Sequence, residues 1–168
     1  MKSYAGIGSR VTPKNVCGLM TAIAGNLATA QYTLRSGGAK GADESFELGA
    51  GSKKEIYIPW NNFRGRKHNN STIFDATLLY NYNEAVDISK QYHPKWNNLN
   101  DAGKKFHTRN VYQILGRELN DPVDMVVCWT QDGKVTGGTG QALRIAKNYN
   151  IEIVNLFQYD DNLDEFME

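Results

Sequence analysis

The sequence predicts an α/β domain, with a mostly parallel five-stranded sheet and helices on both of its faces. Three observations carry this. Short apolar runs alternate along the chain with stretches of helical period. The runs are apolar almost throughout, as strands covered on both faces are, and do not alternate with polar residues. The length, 168 residues, suits one hydrophobic core and leaves no room for two.

Each element follows from its own signal. Tyr4-Ala5-Gly6-Ile7 reads as the first strand. Thr12-Pro13 resembles an N-cap followed by proline in the first turn. Val16, Leu19, Met20, Ile23, Ala24 and Leu27 then recur at helical spacing and make one core-facing stripe. Tyr32–Ser36 is the second strand, ending in Gly37-Gly38, and a short helix over 42–50 leads to the third, Glu55–Ile58, stopped by Pro59. A helix over 104–118 precedes the fourth strand, Met125–Trp129. Gly137-Gly138-Thr139-Gly140 opens the next helix, and Ile151–Leu156 is the fifth strand. The domain spans 1–158, with 61–110 as a less regular insertion rich in basic, aromatic and asparagine residues. Residues 159–168 carry five acids and no base, which reads as a solvated acidic tail.

Composition excludes several classes. Nineteen Lys and Arg against eighteen Asp and Glu give a net charge of +1, so nucleic acid is an unlikely partner on bulk charge. No apolar run is long enough to span a bilayer, and the start MKSYAGIGSR lacks a signal-peptide core, so a cytoplasmic location is expected. Cys17 and Cys128 sit in apolar segments and read as free thiols. No Walker motif, nucleophile elbow or zinc pattern occurs, and neither cofactor nor metal is expected.

The candidate site lies where strands run into glycine. Gly6-Ile7-Gly8-Ser9-Arg10, Ser36-Gly37-Gly38-Ala39 and Gly137-Gly138-Thr139-Gly140 each follow a strand. Glycine permits close backbone approach, and helix N-termini favour phosphate. Ligands of open α/β sheets sit where strand order reverses. If strands one and four adjoin there, the GIGSR and GGTG loops face each other across a crevice. Gly8, Ser9, Arg10, Ser36, Gly37, Gly38, Gly138, Thr139 and Gly140 are the candidate contacts to phosphate and sugar, with Arg10 as the cationic fork. Thr139 serves either phosphate or the helix cap, and Trp129 either stacks on a base or packs the core. Arg109 and Asn110 lie beside the apolar stripe of their helix as candidates to reach the crevice, from this chain or a neighbouring subunit. Asp43 and Glu47, four apart, share a helix face beside the second loop. Such a pair suits cleavage of an N-glycosidic bond, one carboxylate stabilising the oxocarbenium ion and the other helping the base leave. The plainer reading makes Asp43 a loop anchor and Glu47 a surface group.

GIGSR, LRSGGAKGAD and EIYIPW, with GGTGQALRIA further on, resemble the core of the DprA/Smf–LOG (SLOG) superfamily. That superfamily of Rossmann-like nucleotide-binding proteins includes DNA-processing protein A and the cytokinin-activating phosphoribohydrolases. The resemblance covers about 3–60 and returns over 123–157, and the compact form is similar to small phage-encoded members. It implies a Rossmann-like fold, a small nucleotide-type ligand, a homo-oligomer and a bacterial or phage-infected host cell. Two positions depart from the pattern: Arg144 stands where the phosphoribohydrolases carry a catalytic glutamate, and Glu47 where the DNA-processing branch has histidine. The functional expectation is therefore a protein that binds a nucleotide-derived ligand as a sensor or sequestering protein. The alternatives are hydrolysis of a nucleotide N-glycosidic bond and, third, single-stranded DNA binding. Residues 61–110 either set specificity or merely cover the sheet edge.

Overall fold

Along the first strand, β1 (Ser3–Gly8), Tyr4 faces one layer of helices and Ala5 the other, and neither side chain reaches solvent. This is the physical reason the apolar runs lack alternation: both faces of the sheet are covered. The computed structural model describes residues 1–162. Chain order continues with α1 (Lys14–Thr29), β2 (Thr33–Ser36), α2 (Ala42–Ala50), β3 (Lys54–Ile58), β4 (Ile73–Asp75), α3 (Tyr82–Gln91), α4 (Asp101–Leu115), β5 (Met125–Trp129), α5 (Gly137–Asn148) and β6 (Glu152–Asn155). Among the described residues no helix is long and apolar enough to cross a membrane.

The sheet has the order β4-β3-β2-β1-β5-β6, and every pairing is parallel. The α/β class and the covered parallel sheet stand as expected, but there are six strands instead of five. The sixth, β4, was hidden in the 61–110 stretch because three residues, Ile73-Phe74-Asp75, carry too little periodicity to be read. Its Phe74 ring stacks on Tyr57 of β3 at 5.5 Å. The same stretch also holds α3 and the first two-thirds of α4, so it is more regular than its composition indicated. The helix expected over 104–118 runs from Asp101 to Leu115, started by the Asn100 side chain accepting from Gly103 N–H at 2.8 Å. It ends before Gly116, whose φ of 77° is a backbone conformation that glycine adopts without a Cβ penalty. Thr12 does not cap α1; its hydroxyl turns back to the Ser9 carbonyl at 2.6 Å.

One face packs α1 and α2 on the sheet through Val16, Met20, Phe46, Leu34 and Ile56. The other packs α4 and α5 through Ile7, Tyr57, Val111, Ile114, Val126 and Leu143. Helix α3 lies against α4. Both thiols are free, Cys128 buried and Cys17 partly so. Of the acidic stretch 159–168, residues 163–168 lie outside the described residues; a 3₁₀ helix, Leu156–Asn162, runs into its beginning.

Strand order turns at β1 and β5. These pair from Tyr4↔Met125 to Gly8↔Trp129, so their carboxyl ends finish level with each other. Beyond that pair the chains part, one into the Ser9 loop and the other toward α5.

Candidate functional site

The parting of β1 and β5 opens a cavity of about 470 Å³. Its lining includes Gly8, Ser9 and Arg10 on one side and Gly137, Gly138 and Thr139 on the other. The two loops therefore face each other across a crevice, as the strand order requires. The first loop is held by Ser9 N–H donating to the Trp129 carbonyl at 3.1 Å. The serine hydroxyl accepts from Val11 N–H at 3.1 Å, which leaves its own proton to donate elsewhere. Arg10 is exposed, has no carboxylate partner among the described residues, and lies over the Phe106 ring at 5.3 Å from its centroid.

Across the crevice, α5 begins without a side-chain cap. Its first N–H groups have no intrahelical partner, so the helix presents donors and the positive end of its dipole. A Cβ added at Gly137 or Gly138 would meet nothing within 4 Å, because this turn borders open space.

A third wall is α4, which contributes Gly103, Phe106, His107, Arg109, Asn110 and Gln113. Arg109 and Asn110 thus reach the crevice from within the same chain. Arg109 is buried and donates to the Gly37 carbonyl and to that of Tyr57 (3.2 Å), while its Nε donates to Asn110 Oδ1 at 2.9 Å. Burial lowers its pKa to about 10, with the Asp43 charge opposing that shift, so the guanidinium stays protonated at neutral pH. Asn110 in turn donates to the Gly138 carbonyl (3.1 Å) and to Gln141 Oε1 (3.2 Å). Gln141 is fully buried and ties α5 to α3 through Ser89 and to His107 at 3.2 Å. One polar network therefore fixes the α5 N-terminus relative to α4.

Asp43, in the first turn of α2, lines the same cavity. It accepts from Ala39 N–H at 3.3 Å and lies near the N–H groups of Gly37 and Gly8. Burial raises its pKa to about 6, against the lowering effects of Arg109 and those N–H groups.

Glu47 is elsewhere. Its carboxylate pairs with Lys54 at 3.0 Å and Arg66 at 2.6 Å, and those partners hold its pKa low despite burial. Glu44 pairs likewise with Arg64 at 3.0 Å. The basic run at 64–66 is thus neutralised by the acids of α2, and the pairing of Asp43 with Glu47 in one site does not occur. The remaining candidates are placed as follows. Ser36 is fully buried and donates to the Gly6 carbonyl at 2.6 Å. Gly37 lets Arg109 and Gln113 lie on its backbone, where any Cβ would overlap both. Gly38, at φ 68°, needs glycine for its backbone. Gly140 abuts the Val135 backbone, and Trp129 packs in the α1–α2 core with Phe157 at 6.1 Å. None of these five lines the cavity. Arg144, at the place of the family's glutamate, donates to the Tyr92 carbonyl at 2.8 Å, away from the crevice.

Sequence reasoning missed Phe106, His107, Gln113 and Gln141. A signal existed, since Gly103, Phe106, Asn110 and Gln113 recur at helical spacing. Such a polar stripe reads the same whether it meets water or a ligand cavity.

No family model and no curated protein matches the chain. Among solved structures it is similar to DNA processing protein A from Helicobacter pylori, described for its unique single-stranded DNA binding mode. The TM-score is 0.57 at 18% identity, over 90% of this chain and 63% of the length of that one. This overturns the expectation that nucleic acid is an unlikely partner. A protein of similar fold is described for binding single-stranded DNA, so a net charge of +1 does not by itself set nucleic acid aside. The domain has the Rossmann-like fold of DNA processing protein A.

Proposed function

We propose that the protein binds single-stranded DNA, seating one nucleotide of the strand in the β1–β5 crevice. The observation that carries this is the convergence of two features on one cavity: Arg10, which has no carboxylate partner among the described residues, and the uncapped α5 N-terminus. The cation and the helix donors suit a phosphate. The fold shared with DNA processing protein A supports the same reading. Fluorescence anisotropy with a labelled single-stranded oligonucleotide tests it. Binding is expected at low salt, with no comparable affinity for the duplex. An oligonucleotide that stays free at low salt removes the proposal.

The cavity volume, about 470 Å³, also favours a second reading, in which a free mononucleotide-sized ligand is sensed or sequestered. Chromatography of the denatured protein separates the two, because a sequestered nucleotide is released intact on unfolding. Hydrolysis of an N-glycosidic bond would have to run on Asp43 without Glu47, and free base appearing with time would be its sign.

A further inference from the structure

Gln113 carries an amide that makes no hydrogen bond within the described residues and opens to the cavity. Only 2% of the residue is exposed. Its amide atoms are not sealed from the crevice, so they are free to meet a ligand there. Its neighbours on α4 are satisfied: Arg109 by the Gly37 and Tyr57 carbonyls, Asn110 by Gly138 and Gln141. Gln113 is also firmly placed. Its Nε2 rests on the backbone of Gly37, at a spot that any side chain at 37 would occupy. On the other side of Gly37, Asp43 is anchored by Ala39 N–H and faces the same cavity. The crevice lining therefore includes an amide and a carboxylate that both lie by the Gly37 backbone, while the cationic groups stand at Arg10 and at α5.

We propose that Gln113 reads the base of the bound nucleotide, with Asp43 beside it as an additional acceptor. The inference rests on the binding reading above and adds a base preference to it. An amide presents donors and an acceptor together, the match for an amino group next to a ring nitrogen, as in adenine and cytosine. A carboxylate accepts only, and so favours an amino edge again. Thymine's N3–H and carbonyl could also meet the amide, but its carbonyl oxygens would then face that carboxylate, which keeps thymine off the site.

The test compares dodecamers of dA, dC and dT by anisotropy with the wild-type chain and with Gln113→Met, which keeps the volume and removes the amide. Wild type is expected to bind dA or dC about ten-fold more tightly than dT, one good amide–base pair's worth. In Gln113→Met that preference should shrink to within about three-fold, with dT affinity little changed. The melting temperature of the free variant should not fall, since no hydrogen bond within the chain is lost. Equal affinity of wild type for the three oligonucleotides overturns the inference, as does a preference that survives in Gln113→Met. A clear drop in melting temperature also overturns it, because the amide would then be structural. Failure of every oligonucleotide to bind wild type is a different outcome: it removes the binding reading itself.

Discussion

Arg10 and Asp43 show how neighbouring side chains on one crevice acquire opposite characters. Arg10 is solvated and unpaired, so its charge is at hand for a ligand, and Arg10→Ala should weaken oligonucleotide binding by about 1.5–3 kcal/mol. Isothermal titration on the folded variant checks this, and unchanged affinity would take Arg10 out of the site. Asp43 has given up solvent. Its carboxyl holds a proton more tightly in the folded chain (pKa about 6) than when unfolded (3.8), so the folded state binds the extra proton between these values. This group's contribution to stability is full below about pH 4 and lost as pH rises through about 6, by a few kcal/mol at most. Denaturant unfolding of wild type and Asp43→Asn across pH 4–7 should show the difference, with the variant gaining relative stability toward pH 7. Arg10 was legible in the sequence because a cation at the end of a glycine loop is a local feature. The state of Asp43 was not, since it depends on burial in the packed chain, beside Gly8 of β1 and the Arg109 charge from α4.

At the scale of elements, α2 and α4 divide the work. The outward acids of α2 dock the 61–66 loop: Glu44 holds Arg64, and Glu47 holds Arg66 and Lys54. Glu47→Gln should therefore cost stability, about 1–2 kcal/mol for a partly exposed pair, and leave ligand affinity alone. A chemical-denaturation curve beside a binding isotherm separates the two effects; lost binding with unchanged stability would return Glu47 to the site. Helix α4 instead carries its polar residues inward, and Gln141 is where they meet α5 and α3. Gln141→Leu strands Asn110, His107 and Ser89 at once, and we expect a loss of about 2–4 kcal/mol together with weaker binding as the α5 N-terminus loosens. Thermal melting of that variant, with wild type alongside, is the measurement. Helix α2 was readable to the residue because Gly41 and Gly51 bracket it. For α4 the apolar stripe and the pair Arg109 and Asn110 were readable, while Phe106, His107 and Gln113 were not, because its polar side meets protein and cavity instead of water.

Over the whole molecule, a net charge of +1 means that little attraction acts at a distance, so the proposed binding would depend on a few groups at the crevice. Salt dependence measures this. With one or two phosphates engaged, the slope of log Kobs against log salt should be about −0.7 to −1.4, far shallower than for a protein with a long basic track. A titration series from low to moderate salt gives the slope, and a steep value would point to cationic groups outside the crevice. The six-stranded order supports the same economy, because its single reversal, between β1 and β5, creates one crevice with glycine-rich loops on both of its sides.

What the sequence by itself determined is local in origin. Period and apolarity placed five of the six strands and four of the five α-helices, and glycines at strand ends marked loops that border the crevice. Those features depend on residues within a few positions of one another. The tertiary structure alone decided which glycines face open space and which, like Gly37, give way to a side chain from α4. It separated Asp43 from Glu47, moved Trp129 into the core and turned Gln113 into the crevice. In each case the deciding partner lies far away in sequence, and burial and pairing belong to the packed chain, not to the residue.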